Sequence, residues 1–183
     1  MRCVLVITLL FSCVVAIADA TVPKYQPKTI VPGQSVGGVK VGMTKAAASK
    51  LWGKPDRCSA ETPSWCQYLA ESTLQNGFKV TQPFSGFYVK GGKVVAVGVE
   101  FAENKAVDPK VTKLKTSKGI HLGSSMADAR SKYAIGPPSG GEAGLSRALY
   151  KQGKRCTLFY APTPPYTKIE AIQVGICGAG GLS

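Results

Sequence analysis

The chain of 183 residues contains one histidine, His121, and Ser124, Ser125 and Asp128 follow it within seven residues. A Ser-His-Asp constellation would need these side chains to converge, with the imidazole as general base to a hydroxyl nucleophile. Their spacing has a simpler origin. Ser125 with Asp128 three residues on resembles a capping box, in which the hydroxyl accepts from a free N–H of the first helical turn. His121 then reads as a partly exposed strand residue, and no catalytic residue is assigned. Carboxylate pairs suited to glycoside hydrolysis are missing as a pattern: Glu100 and Glu103 flank a strand end, and Glu61, Glu71, Glu142 and Glu170 are isolated. The glycine-rich stretches 33–42 and 136–144 have neither dinucleotide-fold nor Walker spacing, so they read as turns and no cofactor is expected.

Two residue classes remain that suit binding. The basic residues Lys105, Lys110, Lys113, Lys115 and Lys118 lie within fourteen positions, and Lys151, Lys154 and Arg155 form a second group. The chain carries 23 Lys plus Arg against 10 Asp plus Glu, a formal net charge of +13. That balance suits diffuse attraction to an anionic envelope polymer, and the preponderance of Lys over Arg argues against bidentate base or phosphate readout. No nucleic acid is expected as a partner. Among the aromatic residues, Phe87 with Val89 is expected to face the core. Strand alternation then turns Tyr88 and Tyr160 outward, and with Tyr166 they are the candidate residues for gripping a protein partner.

The compartment follows from the amino terminus. Met1-Arg2, an apolar run from Val4 to Ile17 and the small-x-small end Ala18-Asp19-Ala20 form the pattern of a secretory signal peptide over residues 1–20, cleaved near Ala20. The run is short for a transmembrane span, and no later segment reaches membrane length. A rival reading lipidates Cys13. The expected mature protein is secreted, or periplasmic in the cell envelope, and monomeric. Cleavage leaves Cys58, Cys66, Cys156 and Cys177, an even number in an oxidising compartment, which favours disulfides over a metal site: no C-x-x-C is present.

Positioning elements emerge from internal similarity. Gly38-Val39-Lys40-Val41-Gly42-Met43-Thr44 is matched by Gly119-Ile120-His121-Leu122-Gly123-Ser124-Ser125, and Lys93–Val99 by Lys168–Val174. Two matching blocks in the same order argue for tandem units rather than a solenoid. Of the three possible cysteine pairings, duplication favours the sequential one, Cys58 with Cys66 and Cys156 with Cys177. Caps at Thr44 and Ser125 predict helices over 45–52 and 126–133, stopped by Gly and Pro. Alternation over 77–90 and 93–101 around Gly91-Gly92 predicts a β-hairpin. The expected fold is α+β: two tandem copies of a short helix plus an antiparallel sheet, each with one disulfide, the sheets adjoining and the helices on one face. The expected divisions are a leader at 21–37, a first unit at 38–102, a Lys-rich linker at 103–118, a second unit at 119–177 and a flexible tail at 178–183.

Val39-x-Val41-Gly42-Met43-Thr44, followed by a helix to Leu51-x-Gly53-x-Pro55, resembles the SmpA/OmlA-type outer-membrane assembly lipoprotein domain. A tandem pair of such units is similar to the secreted β-lactamase-inhibitor-protein family, whose two related halves form one concave sheet. The resemblance implies a non-catalytic, extracytoplasmic protein-binding role, as an inhibitor or an envelope adaptor. An undetected hydrolase is the weaker alternative.

Overall fold

The computed structural model describes residues 23–26, 28–73, 79–100, 113–136, 139–140, 145–162, 168–180 and 182. Segment 1–20, Lys105, Lys110 and Tyr166 therefore lie outside the described residues. Among the described residues there are two helices and twelve strands, so the protein is mostly sheet, with more strand than the sequence pattern predicts.

Both helices coincide with their predicted spans. Helix α1 (Lys45–Trp52) starts at Thr44, whose hydroxyl accepts from Ala47 N at 3.2 Å, and ends at Gly53 with φ 96°. Helix α2 (Met126–Tyr133) starts at Ser125, whose hydroxyl accepts from Asp128 N at 3.0 Å. The hydroxyls satisfy first-turn N–H groups that have no intrahelical partner. At eight residues each, these helices depend on packing rather than on intrinsic propensity.

An eight-stranded antiparallel sheet carries the fold. One half holds β4 (Arg57–Cys58), β5 (Ser64–Thr73), β6 (Lys79–Lys90) and β7 (Lys93–Glu100). The other holds β9 (Ser139–Gly140), β10 (Leu145–Gln152), β11 (Arg155–Pro162) and β12 (Ala171–Ile176). The order β4-β5-β6-β7-β12-β11-β10-β9 puts β7 beside β12 at the centre, with Val97 opposite Val174. The expected hairpin joins β6 to β7 through Gly91 and Gly92, at φ 57° and 73°, which suits a tight turn needing two left-handed residues. At the outer edge β4 covers only two residues of β5, where Asp56 N–H donates to the Gln67 carbonyl and the Asp56 carboxylate accepts the Leu69 N–H.

The halves share local geometry. Gly42 N donates to Val94 O at 2.7 Å, and Gly123 N to Ile169 O at 2.8 Å. Val94 N returns a bond to Met43 O, and Ile169 N returns one to Ser124 O. The two disulfides pair as expected but sit at different places: Cys58–Cys66 ties β4 to β5, whereas Cys156–Cys177 ties β11 to the residue after β12.

The described residues of the expected leader and of the expected linker contribute strands and core residues. Strands β1 (Thr29–Val31), β2 (Ser35–Val36), β3 (Val39–Lys40) and β8 (Lys115–Thr116) form a second sheet, with β1 and β8 parallel. Tyr25, Ile30, Val36 and Leu114 are each at most 2% exposed. This sheet and both helices cover one face of the large sheet, where Ala48, Trp52, Phe87, Val97, Ala129, Phe159 and Ile172 share one apolar core. Trp52 is its hub. Its ring meets Tyr25 at 5.1 Å and Tyr68 at 5.7 Å, and its Nε1–H donates to the Gly37 carbonyl at 2.9 Å.

Candidate protein-binding face

Alternation along the strands separates the two faces of the large sheet. With Phe87, Val97 and Phe159 turned to the helices, Tyr88, Ala96, Leu158 and Tyr160 stand on the opposite face, joined by Leu149 in a smaller apolar cluster. Tyr88 and Tyr160 are both half-buried there. Among the described residues no helix covers them.

Register assembles the rest of the face. Trp65 lies opposite Tyr88, and their rings stack at 4.3 Å. Gly86, on the next outward position of β6, leaves the space that Trp65 fills: a Cβ there would lie 2.4 Å from the Trp65 ring and 2.5 Å from the Cys66 carbonyl. Gly86→Ala is accordingly expected to destabilise by about 1–3 kcal/mol through overpacking. Its tryptophan emission should shift as the Trp65–Tyr88 stack opens, and an unchanged denaturation midpoint with unchanged emission would refute this reading.

A second row runs across the sheet from Glu100 through Ala171 and Tyr160 to Arg147. The Arg147 guanidinium lies 5.8 Å over the Tyr160 ring, and its Nε is buried without a hydrogen-bond partner among the described residues. Burial raises the Glu100 carboxyl from its ordinary value to about 7. Burial also raises the Tyr88 and Tyr160 phenols; Glu100 adds to both shifts, while Arg147 opposes that of Tyr160. Glu100 holds its proton more tightly when folded than when unfolded. Its contribution is therefore complete below about pH 4.5 and is lost as pH rises through about 7. Glu100→Gln should raise stability at pH 8 by roughly 1–3 kcal/mol and change little at pH 4. Urea denaturation at the two pH values checks this, and equal effects at both would sink it.

The carboxyl end of the chain, expected to be flexible, folds back onto this face through Leu182. The Leu182 side chain is 1% exposed and packs with Ala96, Cys156 and Leu158. It occupies space over Gly175, where a Cβ would lie 2.4 Å from Leu182 Cδ1. Gly178 N donates to Leu182 O, and Gln173 Nε2 donates to Gly180 O at 2.6 Å. A single buried leucine thus anchors a stretch whose glycine content suggests fraying.

The remaining candidates are dispersed. Lys113, Lys115, Lys118, Lys151 and Lys154 are exposed. Lys118 donates to the Lys132 carbonyl and lies 4.9 Å over the Tyr133 ring. Arg155 is partly buried on the helix side of the sheet, away from Tyr160. His121 is exposed, its Nδ1 2.6 Å from the Leu122 carbonyl, while Ser125 and Asp128 are engaged in the helix cap. Among the described residues no group of three or more His, Cys, Asp or Glu is placed to hold a metal ion, and no helix is long and apolar enough to cross a membrane. Trp65, Arg147 and Leu182 belong to the outer face, the last two with no sequence signal pointing to them, and Glu100 joins them although the sequence marks it only as a strand-end carboxylate. Trp65 was accessible through its position beside Cys66, since an inward Cys66 turns Trp65 outward.

No protein-family model matches the chain, and no curated protein matches it. Among solved structures it is similar to a cysteine-rich secretory protein from Staphylococcus aureus subsp. aureus Mu50, at 16% identity and a TM-score of 0.46. The match covers 79% of this chain and 48% of that one, so the chain spans about half of that protein's length.

Proposed function

We infer that this is an extracytoplasmic, non-catalytic protein-binding protein, an inhibitor or envelope adaptor, that engages its partner through the outer face of the eight-stranded sheet. The observation that carries this reading is the aromatic and charged surface of Trp65, Tyr88, Tyr160 and Arg147 on a sheet face that no helix covers among the described residues. Rigid aromatic residues with an arginine are the side chains that dominate binding energy at protein interfaces. The two disulfides fit an oxidising compartment. Tandem duplication is part of the proposal, supported by the matched hydrogen bonds at Gly42 and Gly123 and the matched caps at Thr44 and Ser125. The resemblance to SmpA/OmlA-type and β-lactamase-inhibitor-type domains points to the same class of function.

A second reading, electrostatic binding of anionic envelope polymer through the Lys-rich segment 103–118, is favoured by the exposure of Lys113, Lys115 and Lys118 and the net charge of +13. Capture from the native envelope fraction separates the two. Immobilised protein should retain a discrete protein through a high-salt wash and lose it on Tyr88→Ala with Tyr160→Ala. Retention of polymer alone, released by salt and abolished by replacing Lys110, Lys113, Lys115 and Lys118 with Gln, would transfer the function to the lysines. Turnover of a hydrolase substrate that disappears with His121→Ala would overturn both.

A further inference from the structure

Arg155 opens β11 on the helix side of the large sheet, directly under the turn that joins β1 to β2. The contact is tight: Gly33 N donates to Thr157 Oγ1 at 2.7 Å, and a Cβ on Gly33 would lie 3.0 Å from Arg155 Cβ. Beside this contact is a cleft of about 290 Å³ lined by Gln34, Ser35, Lys40, Val41 and Arg155. Ser35 and Lys40 are register partners across β2 and β3, so an antiparallel pair sends both side chains to the same side. The Arg155 Nη1 atom is buried and has no hydrogen-bond partner among the described residues. A buried N–H left without an acceptor is destabilising, and an oxyanion brought to this guanidinium would offer it acceptors. The lining contains two cations and no carboxylate.

We propose that this cleft is a binding site for a phosphate or sulfate group, with the Arg155 guanidinium and Lys40 Nζ as its charged donors and Ser35 and Gln34 as its neutral ones. The donors come from two sheets rather than from one planar fork, which suits a tetrahedral oxyanion better than a flat carboxylate. The cleft is several times larger than a bare phosphate, so it also accommodates an organic phosphate that carries the oxyanion. The site lies on the opposite face of the large sheet from Tyr88 and Tyr160 and is independent of the partner reading above.

Calorimetric titration of the full protein with inorganic phosphate, sulfate and glycerol 3-phosphate, at constant ionic strength maintained with chloride, tests it. Saturable binding of phosphate or sulfate is expected, weakened at least tenfold by Arg155→Gln and severalfold by Lys40→Gln, and unaltered by Lys113→Gln. Tighter binding of glycerol 3-phosphate than of inorganic phosphate identifies the organic group as the ligand; equal affinity identifies the free ion. Heat that does not saturate, acetate binding as well as phosphate, or affinity unchanged in Lys40→Gln and in a folded Arg155 variant overturns the proposal. Circular dichroism establishes folding, and Arg155→Lys, which keeps the charge while altering the donor geometry, replaces Arg155→Gln should the latter not fold.

Discussion

Reduction of both disulfides is expected to remove on the order of 6 kcal/mol of stability. Cys58 and Cys66 are 8 residues apart and Cys156 and Cys177 are 21 apart. The chain-entropy relation then assigns about 2.5 and 3.5 kcal/mol to the two loops, with the longer one constraining the unfolded chain more. Domains of ordinary size hold only about 5–15 kcal/mol in total, so the reduced protein would be marginal or unfolded. The second bridge has an added local role, because Cys177 is the root of the segment that places Leu182 on the sheet. Cys156→Ser with Cys177→Ser should therefore cost more than Cys58→Ser with Cys66→Ser and should also expose the small apolar cluster to a hydrophobic dye. Urea denaturation with and without reductant measures the total, and coincident curves would show that the bridges contribute nothing.

Trp52→Ala is the second large effect, expected at about 3–5 kcal/mol. The side chain is fully buried, with Tyr25, Tyr68 and Phe87 arranged around it edge to face or nearly so. Its removal leaves a cavity at the junction of α1, the small sheet and the large one, three elements that do not repack as a unit. The Gly37 carbonyl also loses its donor. For a protein of this size the melting temperature should fall by roughly 6–20 °C. Trp52→Phe retains most of the apolar contact and isolates the lost hydrogen bond, about 1–3 kcal/mol. A shift of less than 1 °C for the alanine variant would mean that the Tyr25 segment is not docked in solution.

Elements with local chemical signatures were legible in the sequence. Thr44 and Ser125 announce helices because an unsatisfied N-terminal turn selects a hydroxyl, and Gly91-Gly92 announces a hairpin because both positions need positive φ. The alternation that buries Phe87 also turns Tyr88 outward. What escaped the reading depends on distant contacts. Tyr25, Ile30 and Val36 show no periodicity and are held by Trp52 and by pairing with each other and β8. The second bridge, at the far end of β12, does not follow the position of the first, so duplication suggested the pairing without predicting its location. Glu100 is an ordinary strand-end carboxylate in the sequence, and only the assembled sheet buries it. Leu182 is one apolar residue among glycines, with nothing local to indicate its docking.

The Asp56 carboxylate at the edge of the large sheet has a consequence for the protein at high concentration. A ten-residue strand such as β5 would offer a row of free backbone groups to a neighbouring molecule wherever β4 fails to cover it. Asp56 takes the Leu69 N–H beyond the end of β4 and places its carboxylate beside the next backbone groups of β5. An incoming strand would have to displace that bond and bury the charge, so the carboxylate acts as a gatekeeper against strand addition and fibril growth.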